Sequence, residues 1–197
     1  IQYAGSMGTT LVVSAGNAGL DADHTGSLAF SLSDYPNVLG ISATAPVGSA
    51  LPAVFYFGNP PADPPLSPLA PPESLAYYSN YGRTIIDFAA PGGSNELFYL
   101  LENPDAICLS GGFLAWCEFF DMVLSNGPGE QFFFAQGTSM SAPHAAGVAA
   151  LIVGKNGGDM NPKQLHNAMK KCALDLGQRG NDPIYGSGYA SAACLGD

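Results

Sequence analysis

Gln136-Gly137-Thr138-Ser139-Met140-Ser141-Ala142-Pro143-His144 reads as a tight turn entering a helix, with a hydroxyl nucleophile on the first helical turn. Gly137 permits backbone angles closed to other residues and lets another chain approach closely. Thr138 is a good cap, which predicts a helix beginning at or near Ser139. A serine in that place has the unpaired N–H groups of the helix start around it, and these favour negative charge. Acyl transfer needs such help, because the attacked carbonyl oxygen becomes an oxyanion. Downstream, Ala145, Val148, Ala149 and Ile152 recur at helical spacing. They predict a helix that buries one face and holds the serine rigidly. Pro143 falls within the first two turns, where a missing N–H costs little. The bland alternative is a capped, buried helix that merely starts near a serine.

Composition bounds the partners. The chain has 197 residues, 47% of them hydrophobic, enough for one domain with a sizeable core. Its net charge of −10 argues against nucleic acid or anionic lipid, either of which would need a basic face. No apolar run approaches the ~20 residues that span a bilayer. With only 11% charged residues, small and hydroxyl side chains must cover much of the surface. The four cysteines, Cys108, Cys117, Cys172 and Cys194, allow three connectivities. Pairing Cys108 with Cys117 and Cys172 with Cys194 is favoured, since each pair brackets one local element. No Cys-x-x-Cys or Cys/His ligand spacing calls for zinc, and disulfides fit an extracellular protein.

Taken in order, Ile1–Ala4 looks like the last turn of a helix. It feeds Leu11–Ser14, a short apolar run consistent with a buried parallel strand. Gly16 then allows a sharp turn that aims the Asn17 amide into a cleft. In the polar loop that follows, Asp21 and Asp23 offer oxygen ligands of the kind calcium uses, or are simply solvated. Val38–Thr44 is a second strand and Thr84–Ala89 a third. Between them, Pro46 to Pro72 holds nine of the sixteen prolines, too many for a sheet interior. Residues 46–73 therefore read as an inserted loop with one β segment, Val54–Phe57. A second insertion, residues 93–130, is rich in aromatics and brackets Cys108 and Cys117. Its Phe113, Trp116, Phe119 and Phe120 line a cleft or pack the insertion onto the core. Asp121–Ser125 and Gln131–Ala135 read as a hairpin leading into the serine turn. Asn161-Pro162 starts another helix, with Leu165, Ala168, Met169 and Cys172 on one face.

The segment Gly137 to Gly147, as GTSMSAPHAAG, resembles the nucleophile motif of the subtilisin-like serine proteases (subtilases, peptidase S8). Val12-Val13-Ser14-Ala15-Gly16-Asn17 resembles that family's strand ending in the oxyanion-hole asparagine. Asp87-Phe88-Ala89-Ala90-Pro91-Gly92 resembles the strand-to-loop segment between them, and Tyr185-Gly186-Ser187-Gly188-Tyr189 the closing turn. The resemblance implies a partial α/β, three-layer fold with a mainly parallel sheet, its first strands missing from these residues, and a buried helix starting at the nucleophile. It further implies a catalytic Ser139, Asn17 in the oxyanion hole, and Ser14, Ala15, Gly16, Gly137 and Thr138 at the substrate. One wall of the specificity pocket falls near Leu28–Ser33, with Leu32 where the family often has proline. A catalytic histidine in a His-Gly-Thr-His pattern and an early aspartate are absent here. Residues 1–197 are therefore expected to be the later portion of a catalytic domain whose N-terminal remainder is its partner, the chain alone being inactive. Of the histidines present, His144 is five positions after Ser139 and turned away, His166 is expected on an exposed helix face, and nothing in the sequence orients His24.

The resulting expectation is a secreted serine endopeptidase acting on polypeptides, with no cofactor required and calcium as an optional ligand. Two alternatives stand beside it. A sedolisin-type serine-carboxyl protease would use a glutamate base, although Met140 and Pro143-His144 favour subtilases. A non-catalytic subtilase-like binding domain would use the two insertions as its interface, although it would gain nothing from keeping both Ser139 and Asn17.

Overall fold

A computed structural model describes residues 1–25, 32–45, 53–55, 74–95, 107–110, 113–116 and 118–196. Its centre is a sheet in which β2 (Val38–Ala45) is flanked by parallel neighbours. β1 (Leu11–Ser14) pairs from Leu11↔Val38 to Ser14↔Ile41. β5 (Phe88–Pro91) pairs from Ile41↔Phe88 to Thr44↔Pro91. The two-residue β4 (Ser74–Leu75) adds an antiparallel contact at the far end of β2. Every residue of β2 is buried, which is why it reads as a continuous small and apolar run and not as an alternation. Beyond β5, the turn at Gly186–Tyr189 bridges to Phe88 and Ala89, so the closing motif extends the sheet.

Helix α3 (Thr138–Lys155) packs on this sheet through Ala145, Ala149 and Ile152, facing Leu39, Ile41, Phe88 and Ala90. Alanines at the contact let helix and sheet approach closely, and larger side chains fill the flanks. Phe88 and Ile152 are essentially inaccessible to water, each burial contributing about 1.5–3 kcal/mol. Helix α4 (Pro162–Cys172) adds Leu165 and Met169 to the same core, with Ala168 and Cys172 packed against it. Its start is a capping box: Asn161 accepts from the Gln164 N–H, and the Gln164 side chain accepts from the Asn161 N–H. The molecule is thus α/β with a mainly parallel sheet. The N-terminal segment forms a short helix α1 (Gln2–Ser6) that leads into β1.

Several boundaries differ from the sequence reading. The third strand starts at Phe88, not Thr84, because the N–H groups of Ile85 and Ile86 turn back onto the Gly82 carbonyl. Helix α3 buries one face, as its apolar spacing predicts, and leaves His144, Gly147, Ala150 and Leu151 exposed, so it is not buried all round. The expected hairpin exists as β8 (Val123–Asn126) and β9 (Phe132–Ala135), but Asp121 ends a short helix α2 (Glu118–Asp121) instead of opening a strand. The β segment of the proline-rich insertion is β3 (Ala53–Phe55). It pairs antiparallel with β6 (Ile107–Ser110) of the second insertion, which pairs in turn with β7 (Phe113–Trp116). The two insertions therefore share a sheet.

Cys172 and Cys194 form a disulfide, tying the end of α4 to the C-terminal 3-10 turn Ala193–Leu195. The proposed Cys108–Cys117 pair lies outside the described residues, as do the side chains of Phe113, Trp116 and Phe120. Phe119 is half exposed and meets the Phe134 ring edge-on.

Candidate active site

Helix α3 and strand β1 both end at the same place. Gly137 is the N-cap, with φ of 142°, so the helix begins at Thr138, one residue earlier than expected. Thr138 does not cap. Its buried hydroxyl accepts from the Gly16 N–H at 3.1 Å and donates to Asn17 Oδ1 at 2.8 Å. Its own N–H donates to the same oxygen at 2.9 Å. A partner brought from 121 residues away thus overrides the local capping preference.

Two donors on one end of the amide fix its orientation. Asn17 Oδ1 faces Thr138, so Nδ2 is the end left to act outward, and no acceptor takes it among the described residues. A Cβ on Gly137 would stand 3.4 Å from Asn17 Nδ2. The glycine therefore leaves the approach to that donor open as well as supplying the positive φ.

The first N–H groups of α3 are mostly committed. Thr138 donates to Asn17, while Met140 and Ser141 donate back to the Gly137 carbonyl. The Ser139 N–H has no acceptor among the described residues. Ser139 and Asn17 are both exposed. An exposed serine, a free helix-start N–H and an oriented amide thus meet around Thr138.

The turn is braced from behind. Gly137 donates to the Gly92 carbonyl and to the Tyr78 hydroxyl, each at 2.9 Å. Tyr78 Oη in turn donates toward the Gly93 carbonyl at 2.6 Å, with the Gly92 carbonyl at 3.0 Å. A Cβ on Gly92 would stand 2.5 Å from the Ala43 Cβ and 2.6 Å from Ser141 Oγ, so only glycine fits where β5 leaves the sheet beneath the helix. Tyr78 and its neighbours Ser79 and Asn80 escaped notice in the sequence. The signal was there: a polar Tyr-Tyr-Ser-Asn-Tyr run between two apolar segments, whose buried members must find partners.

The other expected residues are placed as follows. Ala15 is buried, its N–H donating to the Ile41 carbonyl and its carbonyl accepting from Asn80. Gly16 has both backbone groups bonded, its carbonyl accepting from the Asn80 N–H. The backbone groups of both residues are thus engaged within the protein. Ser14 ends β1, opposite Ile41. Most of the Leu28–Ser33 wall lies outside the described residues; Leu32–Asp34 forms a 3-10 turn with Leu32 half exposed.

The three histidines are each engaged elsewhere. His144 Nδ1 contacts the Met140 carbonyl of its own helix. His166 is half buried, not exposed as expected, with Nε2 3.3 Å from Asp87 and its ring against Phe88. His24, contrary to the sequence reading, is oriented: Nδ1 lies 2.7 Å from Asp21, and that hydrogen bond raises the imidazole pKa. Burial pushes the Asp23 carboxyl up. The N–H groups of Arg83 and Thr84, with the Thr84 hydroxyl, outweigh it and hold its pKa below the usual value. Asp21 thus serves its own loop, and Asp23 ties that loop to Arg83 and Thr84. Among the described residues no cluster of three or more His, Cys, Asp or Glu side chains forms.

Comparison with known proteins places this arrangement in a class and then in a family. The fold is that of subtilisin-like proteases. A lanthipeptide protease superposes with a TM-score of 0.66 at 25% identity, over 98% of this chain and 51% of that one. The epidermin leader peptide processing serine protease EpiP from Staphylococcus aureus shares the fold at 18% identity, with a TM-score of 0.70, over 97% of this chain and 41% of its own. Residues 1–188 match the model of the subtilase family, and the chain belongs to that family. M-protease of Shouchella clausii (strain KSM-K16) is 44% identical over 70 residues, 36% of this chain and 17% of the relative. Halolysin of Haloferax mediterranei is 32% identical over 128 residues, 65% of this chain and 18% of the relative. The matches thus span about half or less of each relative's length.

Proposed function

We propose that the protein containing this chain is a serine endopeptidase. Ser139 Oγ attacks a peptide carbonyl carbon as its hydroxyl proton passes to a general base, which then serves as the general acid. The carbonyl π pair moves onto oxygen, where Asn17 Nδ2–H and the Ser139 N–H receive it. Collapse of the tetrahedral species expels the amine, which takes a proton from the general acid, and leaves an acyl ester on Ser139. Water then hydrolyses that ester. The three histidines of the chain are held by Met140, Asp87 and Asp21, so the base and its orienting carboxylate come from the rest of the protein, and the chain alone is inactive. The substrate is a polypeptide. The Cys172–Cys194 disulfide supports an oxidising, extracellular setting. Among the described residues no helix is long and apolar enough to cross a membrane.

The contact of Asn17 with Thr138 carries this reading, because a binding module has no use for an amide oriented beside a helix-start serine. The test is labelling of the full-length protein with a serine-directed fluorophosphonate, followed by peptide mapping and a casein digestion assay. Label on Ser139 is expected, with both label and digestion lost in Ser139→Ala. A folded full-length protein that takes no label at Ser139 removes the assignment.

A further inference from the structure

We infer that Asn80 is a positioning residue for the oxyanion donor, an inference that rests on the role proposed for Asn17. Among the described residues Asn80 forms no hydrogen bond to Ser139 or to the Asn17 side chain. It grips the turn on both sides of Asn17 instead. Its Nδ2 donates to the Ala15 carbonyl at 2.9 Å, and its Oδ1 accepts from the N–H groups of Ala18 and Leu20 at 3.1 and 3.0 Å. Its backbone N–H adds a bond to the Gly16 carbonyl at 2.9 Å. Among the described residues the backbone of Asn17 itself makes no hydrogen bond, so residue 17 is held through its neighbours and through Thr138.

The brace is itself anchored in the sheet. Ser79 Oγ accepts from the Ala43 N–H of β2 at 3.0 Å and donates to the Asn80 carbonyl at 3.0 Å. Asn80 is 6% exposed, so its three side-chain bonds form away from water, where an unmade bond is costly. The fit is close as well: a Cβ on Gly16 would stand 2.6 Å from Asn80 Nδ2. Any residue but glycine there would push the brace off the turn. A continuous path runs from β2 through Ser79, Asn80 and the Ala15–Leu20 turn to the amide that faces the nucleophile. Its function is geometric, since a donor misplaced by a fraction of an ångström stabilises the transition state less while leaving ground-state binding unchanged.

The experiment is a double-mutant cycle in the full-length protein: wild type, Asn80→Ala, Asn17→Ala and the double variant, with kcat and KM measured on a peptide amide substrate. Fluorophosphonate labelling of the wild type comes first; absence of label sinks the Ser139 reading itself. With label present, Asn80→Ala is expected to lower kcat about tenfold at unchanged KM, a part of the ~10²–10³ lost with the donor. In the Asn17→Ala background the same change should alter kcat less than about twofold. Equal losses in both backgrounds overturn the inference while leaving the protease reading intact. Should Asn80→Ala fail to fold, Asn80→Asp decides. Its carboxyl regains the donor to Ala15 when protonated, so its kcat relative to wild type should rise as pH falls. A flat ratio, or failure of both variants to fold, makes Asn80 a folding residue and removes the positioning role.

Discussion

Thr138 shows how one side chain is given a different task by its partners. Its hydroxyl bridges the Gly16 N–H and Asn17 Oδ1 while its N–H holds the same oxygen, and the residue is fully buried. Valine has nearly the same shape and no hydroxyl. Thr138→Val would leave the Gly16 N–H without its acceptor, which should cost about 1–3 kcal/mol in urea unfolding. It should also lower kcat, because Asn17 keeps one tether out of two. Thr138→Ser preserves both bonds and should retain most of the activity. Equal kinetics for Thr138→Val and wild type would show that the bridge does not orient the amide. The sequence pointed to Ser139 and Gly137 through their residue types and setting, and to Asn17 through the resemblance to the subtilases. It misassigned Thr138 as a cap because capping preference is a local rule, and the competing acceptor stands 121 residues away.

Among the elements, β2 organises the site, and its tolerance is narrowest at Gly40. The Asp87 carboxylate accepts from the Gly40 N–H at 2.8 Å, and the Asp87 N–H donates to the Gly40 carbonyl at 2.9 Å. A Cβ there would sit 1.9 Å from the Ile85 carbonyl oxygen, a backbone atom that cannot swing aside. Gly40→Ala is therefore expected to destabilise by at least the upper end of the ~1–3 kcal/mol typical of overpacking, read as a lowered denaturation midpoint with an unchanged m-value. The same crowding explains the late start of β5. Ile85 and Ile86 are taken up by the turn onto Gly82, and the strand becomes regular only where Phe88 meets Ile41. Apolar patterning located β1, β2, α3 and α4 well, since the strands are short continuous apolar runs and the helices bury one face at helical spacing. It could not locate the start of β5, because turn residues that pack under a sheet are as apolar as strand residues.

For the whole molecule, closure at the C-terminus is the separable contribution. The Cys172–Cys194 bond spans 22 residues and encloses the turn that bridges to β5. Chain-entropy arithmetic for a loop of that size gives about 3 kcal/mol. Replacing both cysteines by alanine should lower unfolding stability by about that amount while Ser139 still labels, because Cys194 lies beside Leu195, whose carbonyl accepts from Lys155 at the opposite end of helix α3 from Ser139. Loss of labelling in a folded double variant would show that closure and site are coupled. The pairing of β3 with β6 belongs to this scale too. Two inserted stretches, each read as a separate excursion, join through backbone hydrogen bonds that no side-chain pattern announces.

What the amino-acid order determined by itself was local: a hydroxyl at a helix start, glycines where the chain must turn, and apolar periods that mark strands and helices. Those follow from conformational preference and burial, which act over a few residues. The tertiary structure alone decided the brace of Tyr78, Ser79 and Asn80 behind the site, the bridge from Thr138 to Asn17, and the pairing of His166 with Asp87. Buried hydrogen-bonding groups must be satisfied by whatever the fold brings near, and that neighbour is set by packing, not by sequence distance.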